Sequence, residues 1–325
     1  MRVASVRVGS TDAVIAELDD GTVVDATSVL SDQGVSCLQG LVESDDAART
    51  ALVESIAATA TATDAVDVDA VQWLPPMARP SKIVGVALNN DVFDMLASRK
   101  MAAPMYFLAP STSMIGHGEA IEVDPEWGLV HPEPELGAVI GTRLKNATPD
   151  EALAGVFGYT IVDDITSPGL KSDDSVELVM PEGFPVDEPW RTTRGDDDRS
   201  LYLTYHARSK GTDTFTPIGP WITLRESVSD PNDLQVRSYL DDEVVLEDST
   251  ANLTFPVETV LSHLSRSMTL LPGDIVHFGT AARPTQPDRF PTIRAIDLTR
   301  HGRTVSVEID GIGRLDNGIE RVHRT

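Results

Sequence analysis

Two glutamates one residue apart, each behind a proline, stand in HPEPELGAVIG at residues 131–141. In extended backbone, residues two apart point to the same side, so Glu133 and Glu135 project together, with about 7 Å of rise between their Cα atoms. Pro132 and Pro134 project the other way and remove two N–H donors, which keeps this piece out of the middle of a ladder and at the mouth of a strand. Leu136-Gly-Ala-Val-Ile140 then continues as a strand entering a core. A third acidic site follows in GYTIVDDITSP, residues 158–168, where Asp163 and Asp164 end an apolar strand and face opposite sides, so one of them can enter a cleft. Two same-face glutamates and one strand-end aspartate offer oxygen ligands only. Such a set suits Mg2+, with Mn2+ and Ca2+ as alternatives. Zinc is disfavoured because it prefers His and Cys. Composition supplies the competing explanation: with 51 Asp and Glu in the chain, neighbouring carboxylates arise by chance, and the glutamate pair alone reads as a solvated surface feature.

The elements that must position these groups follow from local pattern. The start alternates, VASVRVG then AVIAELDDGTVVDAT, with Asp20-Gly21 as the turn of a hairpin. Apolar residues at three- and four-residue spacing in LQGLVESDDAARTALVESIAATATA predict one helix. The three prolines of QWLPPMARPSK, residues 72–82, suit a linker. A small N-terminal α+β domain over residues 1–75 and a larger domain over 76–325 are therefore expected. The larger one opens with the buried strand KIVGVAL and a short helix that Asn89 would cap. Strand-like runs recur from MYFLA to VSVEI, and Thr148 with Glu151 forms a capping-box spacing. The predicted class is α+β, rich in β-structure. Residues 171–200, with their Asp clusters and three prolines, look like an insertion or lid.

Bulk numbers limit the function. A chain of 325 residues at net charge −25 repels nucleic acid and anionic membrane, so neither is expected as a partner. The single Cys37 excludes an intramolecular disulfide and a cysteine-rich metal site. No apolar run approaches the ~20 residues of a membrane helix, and a cytoplasmic protein is expected.

From about residue 76 to residue 320, seven blocks in order resemble the fumarylacetoacetate hydrolase (FAH) superfamily. PPMARPSKIVGVALN is similar to its entry strand, PMYFLAPSTSMIGHGEAIEV to the next segment, PEPELGAVIG to its Glu-x-Glu metal motif and GYTIVDDIT to the strand ending in a third ligand. RSKGTDTFTPIGPWI is similar to its Lys-containing block, LLPGDIVHFGTA to its Pro-Gly-Asp…Gly-Thr block, and VEIDGIGRLDN to its closing strand. The resemblance implies a mixed β-sheet roll with a leader domain, usually a homodimer. It implies that Glu133, Glu135 and Asp164 ligate a divalent cation, Mg2+ first. It also implies that Lys210 holds the carboxylate or enolate oxygen of a 2-oxo or 2,4-dioxo acid, and that Gly279-Thr280 donates hydrogen bonds to that carboxylate.

The chain departs from the family at the reacting end. Hydrolytic members carry a His–Glu pair that activates water; the aligned positions here are Phe93 and Leu96, and neither takes a proton. Ala109 replaces a lysine and Pro168 an arginine. Asp91 and Asp94 are the candidate replacements as base, with His206 and His131 as further groups that could reach the site. The resemblance implies C–C hydrolysis first. A lyase or isomerase (a 2-keto-3-deoxy sugar acid dehydratase, or an isomerase or decarboxylase of aromatic catabolism) is the alternative, and a homologue that binds metal and 2-oxo acid without turnover is the third.

Overall fold

A computed structural model of the chain describes all residues except 60–65, 95–96, 98–99, 183–198, 282, 284, 286–295 and 324–325. Among the described residues, eleven strands form one mixed sheet. Nine of them follow one path, Val23–Asp25, Thr11–Glu17, Arg2–Val8, Thr216–Leu224, Val156–Asp163, Pro134–Ile140, Ile275–His277, Ile83–Ala87, Met105–Ala109; off it, Gln72–Trp73 pairs with Arg2–Val8 and Met114–Ile115 with Thr216–Leu224. A second sheet of five strands is ordered Glu243–Ser249, Gln235–Leu240, Thr304–Ile309, Gly313–Arg321, Ala120–Val123. The class is α+β and β-rich, as expected.

Alternation along the central strands splits the core. Leu136, Ala138 and Ile140 face Val84, Val86, Val276 and the second sheet's Val307, Ile309 and Leu315, closed by the helix Val257–Ser267. The other face carries Val139, Ile83, Ile275 and Val162, packed with Leu30, Leu38, Leu41, Leu52 and Ile56 of the N-terminal helices. The first residues thus share both a sheet and a hydrophobic cluster with the rest of the chain, through pairs such as Val3↔Ile222.

Several local expectations are refined by side-chain bonding. The N-terminal strands form a three-stranded meander: left-handed Gly9 makes the first turn and left-handed Gly21, in the Asp-Gly pair, makes the second. The single predicted helix is two, Leu38–Glu43 and Asp46–Thr59. Ser44 turns extended, and Asp45 accepts the Ala48 N–H at 2.9 Å, starting a new helix with its own cap. The proline-rich stretch 72–82 is packed: Trp73 pairs with Val6 and Met77 is buried. Asn90, not Asn89, caps the helix Asp91–Asp94 through the Val92 N–H, because Asn89 is spent bridging Phe255 and Phe278. The capping box at Thr148 is present with both of its bonds. Within 171–200, Ser175–Val179 pairs with Ser200–Thr204 as an exposed two-stranded ribbon; the intervening 183–198 lie outside the described residues.

Candidate active site and metal centre

The face of the large sheet that carries Val139 changes character within two residues. One row across it is apolar: Val139, Ile275, Ile83 and Ala109 stand opposite one another. The next row reads Gly137, His277, Gly85, Phe107, small alternating with large. A Cβ on Gly85 would lie 2.5 Å from His277 Cε1 and closer still to the Phe107 ring, so only glycine lets both rings lie over this strand. They meet edge to face, with centroids 5.6 Å apart. Beyond that row the carboxylates begin. Glu135 is paired with Val162, and the Asp164 N–H bonds the Glu133 carbonyl at 2.9 Å, which brings Glu133, Glu135 and Asp164 onto one side at the strand ends.

Glu135 is 2% exposed and has three polar partners. His277 Nδ1 and the Gly279 N–H each lie 2.7 Å from Oε2, and Thr280 Oγ1 lies 3.1 Å from Oε1. Gly279 has φ +105°, and a Cβ there would meet Asn89 at 2.7 Å, so this donor loop requires glycine. Lys210, on the short helix Ala207–Gly211, bonds Glu133 Oε2 at 2.7 Å and Asp164 Oδ2, with its ammonium 4.9 Å above the Phe107 ring. Asp163, facing away, accepts the Glu133 N–H at 2.9 Å and so fixes the bend that aims Glu133.

These groups are far from water, and burial shifts their proton affinities. Burial raises the Asp163 carboxyl to about 8. Burial also lifts Asp164, to about 7, against the pull of Lys210 and His277. Glu133 is lowered on balance: burial pushes it up, and Lys210 and His131 outweigh that push. For Lys210 and His277 burial opposes the cation, but Asp164 and Glu133 in the first case, and Glu135 in the second, raise both values. His131, 3.8 Å from Glu133, is pushed down to about 4 by burial and is neutral at pH 7. Three carboxyl groups, Glu133, Glu135 and Asp164, thus share one side with the single ammonium of Lys210, and once Asp164 is ionised a divalent cation matches the remaining negative charge. Glu135, Asp164 and His277 each offer a ligand atom, all within 4.8 Å of one another. The residues present fit a divalent metal ion.

Of the residues picked out by sequence, the structure brings together Glu133, Glu135, Asp164, Lys210, Gly279 and Thr280. It turns the Gly279 and Thr280 donors toward Glu135. Asp91 instead pairs with Arg283 at 2.5 Å, and Asp94 accepts from Thr254 at 3.2 Å. Among the described residues, no bond of either reaches the carboxylates. Ala109 lies in the apolar row, Pro168 opens the helix Pro168–Asp173, and His206 stands at the start of the Lys210 helix, half-buried. Leu96 lies outside the described residues. His277 was missed. It sits in a run, DIVHFG, that reads as a plain buried strand, and its only signal is being two residues before Gly279 and therefore on the same face.

Comparison with known proteins places this geometry. The Fumarylacetoacetate (FAA) hydrolase C-terminal family matches residues 82–320. An uncharacterised protein of Archaeoglobus fulgidus is 30% identical over 260 residues, which cover 80% of this chain and 86% of that protein. The 4-hydroxyphenylacetate degradation bifunctional isomerase/decarboxylase of Salmonella dublin is 29% identical over 246 residues, 75% of this chain and 48% of that protein. Among solved structures, maleylpyruvate hydrolase of Sphingobium sp. SYK-6, in complex with manganese(II) and pyruvate, superposes with a TM-score of 0.69 at 21% identity, covering 99% of each chain. With its family match spanning most of the sequence and the strand-end carboxylates in place, the chain belongs to the fumarylacetoacetate hydrolase family.

Proposed function

We propose that this chain is a divalent-metal-dependent enzyme that binds a 2-oxo acid and works through its enol form, as an isomerase, tautomerase or decarboxylase. The observation that carries the reading is the buried Lys210 ammonium, set between Glu133 and Asp164 beside Glu135. An ammonium has three N–H donors. Two are used on these carboxylates, and the third is directed to a substrate oxygen on which negative charge develops. A fixed cation in a water-poor site is the kind of group that dominates such barriers. The cation, when bound, supplies Lewis-acid polarisation of the same oxo group. Phe107 covers the ammonium and keeps water from it. The isomerase/decarboxylase named for the Salmonella relative and the pyruvate of the Sphingobium complex support this substrate class.

Hydrolysis needs a base holding a water; isomerisation and tautomerisation need instead a base that takes the C3 proton, and decarboxylation needs neither, because the electron pair of the enolate comes from the broken C–CO2 bond. Phe93 cannot serve, and Asp91 and Asp94 are each engaged elsewhere, so enol chemistry without an added water is favoured. The test is exchange of the C3 protons of pyruvate and oxaloacetate in D2O, followed by NMR with Mg2+ or Mn2+. Metal-dependent exchange that falls ~10²–10³-fold in Lys210→Met is expected. Tight metal binding with no exchange across a 2-oxo acid panel would overturn the reading. Cleavage of acylpyruvates would assign hydrolysis in its place, and water loss from 2-keto-3-deoxy acids a dehydratase.

A further inference from the structure

We propose that His277 is itself a ligand of the divalent cation, completing a Glu135–Asp164–His277 set that favours ions accepting an imidazole nitrogen over Mg2+. The inference rests on the divalent-cation reading above and deepens it. Its basis is position. His277 is 1% exposed, and it enters the site from the strand Ile275–His277, whose neighbour on one side is the Glu135 strand. Its Nδ1 lies 2.7 Å from Glu135 Oε2. Adjacent ligand atoms around a six-coordinate ion with bonds of ~2.1 Å stand ~3.0 Å apart, so this pair is already spaced as neighbouring ligands. Asp164 brings the third atom within the same 4.8 Å span.

The ring is also prepared for the role. Gly85 gives it room on one side, and Phe107 packs against it, so its plane is set by the fold rather than by the ion. Glu133, the other carboxylate of the pair, is bonded to Lys210 and hinged on Asp163 through its own N–H. The chain thus divides its two glutamates: Glu135 faces the imidazole and Glu133 the lysine. A nitrogen donor shifts preference along the divalent series toward Mn2+, Fe2+, Co2+ and Zn2+, because Mg2+ takes oxygen donors and keeps its waters. The sequence expectation disfavoured zinc because no nitrogen ligand was recognised; His277 removes that ground.

The competing arrangement leaves His277 as a donor to Glu135 that merely orients it. Pulsed EPR of the Mn2+-loaded full chain separates the two, because a directly bound imidazole couples its 14N nucleus to the metal electron spin. Expected are such a coupling in the wild-type protein, its loss in His277→Ala, its retention in His131→Asn, and a Mn2+-over-Mg2+ preference by calorimetry that shrinks at least tenfold in His277→Ala. Bound Mn2+ without 14N coupling overturns the proposal and leaves the cation-dependent function standing. A coupling that survives His277→Ala and disappears in His131→Asn overturns it as well. No binding of Mn2+, Co2+ or Mg2+ at all removes both readings. Should His277→Ala fail to fold, the wild-type and His131→Asn spectra still decide.

Discussion

Replacing Lys210 by methionine separates what the lysine does for stability from what it does for chemistry. In the folded protein its ammonium bonds two carboxylates, and the side chains of Lys210, Glu133 and Asp164 are 10%, 18% and 2% exposed. All three lie well below the exposure at which solvent screening would erase the effect. Removing one partner of a buried ion pair costs about 3–5 kcal/mol, because the remaining charge is left uncompensated. Asp164, raised to about 7 by burial even with Lys210 beside it, rises further without that cation and can escape part of the cost by taking a proton. The loss should therefore be larger at pH 8 than at pH 6. The same substitution removes a positive charge beside the metal ligands, so Mn2+ should bind more tightly. At 100 times its Kd a ligand contributes about 2.7 kcal/mol, enough to return much of the deficit. Turnover, by contrast, should fall ~10²–10³-fold, the usual consequence of losing one oxyanion donor. Urea unfolding at pH 6 and 8, with and without Mn2+, together with calorimetry and C3 exchange, reads all three. A Lys210→Met protein as stable as the wild type at pH 8 without metal, or one that binds Mn2+ more weakly, would refute the reasoning.

Asp163 has a folded-state value of about 8 against an ordinary 3.8, raised by burial. A carboxyl raised in the folded state binds more protons there, so its contribution to stability declines as pH rises from about 4 through 8. Asp163→Asn keeps an oxygen for the Glu133 N–H, and its stability relative to wild type, from urea unfolding of metal-free protein, should improve steadily across that range; a pH-independent difference would contradict this. Gly85→Ala would force apart Phe107 and His277; overpacking of this kind costs about 1–3 kcal/mol, and Mn2+ affinity by calorimetry should fall with it. Thr148→Ala removes the capping box of Pro149–Ala154 and should cost about 1 kcal/mol in urea unfolding, with metal affinity unchanged because no ligand is touched.

What the sequence made legible was whatever is local or strictly periodic. The Glu133/Glu135 pair reads from period-two alternation, whereas the pairing of Val162 with Glu135 is a register between two strands that neither strand's own pattern supplies. The capping box at Thr148 reads because both of its bonds lie within four residues. The break at Ser44 was hidden because one aspartate cap outweighed a continuing apolar period. Asn89 and Asn90 could not be told apart as caps, since the choice depends on Phe255 and Phe278, over 160 residues away. His277 was invisible for the same reason. A histidine in an apolar strand has no meaning until the strand bearing Glu135 is laid beside it.

The parallel pairing of Ile275–His277 with Ile83–Ala87, and its antiparallel pairing with Pro134–Ile140, has a consequence for how the protein reaches its working form. The strand carrying His277 joins two others from the first half of the chain, so closing it requires loops of well over a hundred residues. Such distant pairings form slowly during folding. Cation affinity is therefore a natural reporter of the last stage of assembly: a refolding chain should regain helical signal well before it can hold Mn2+.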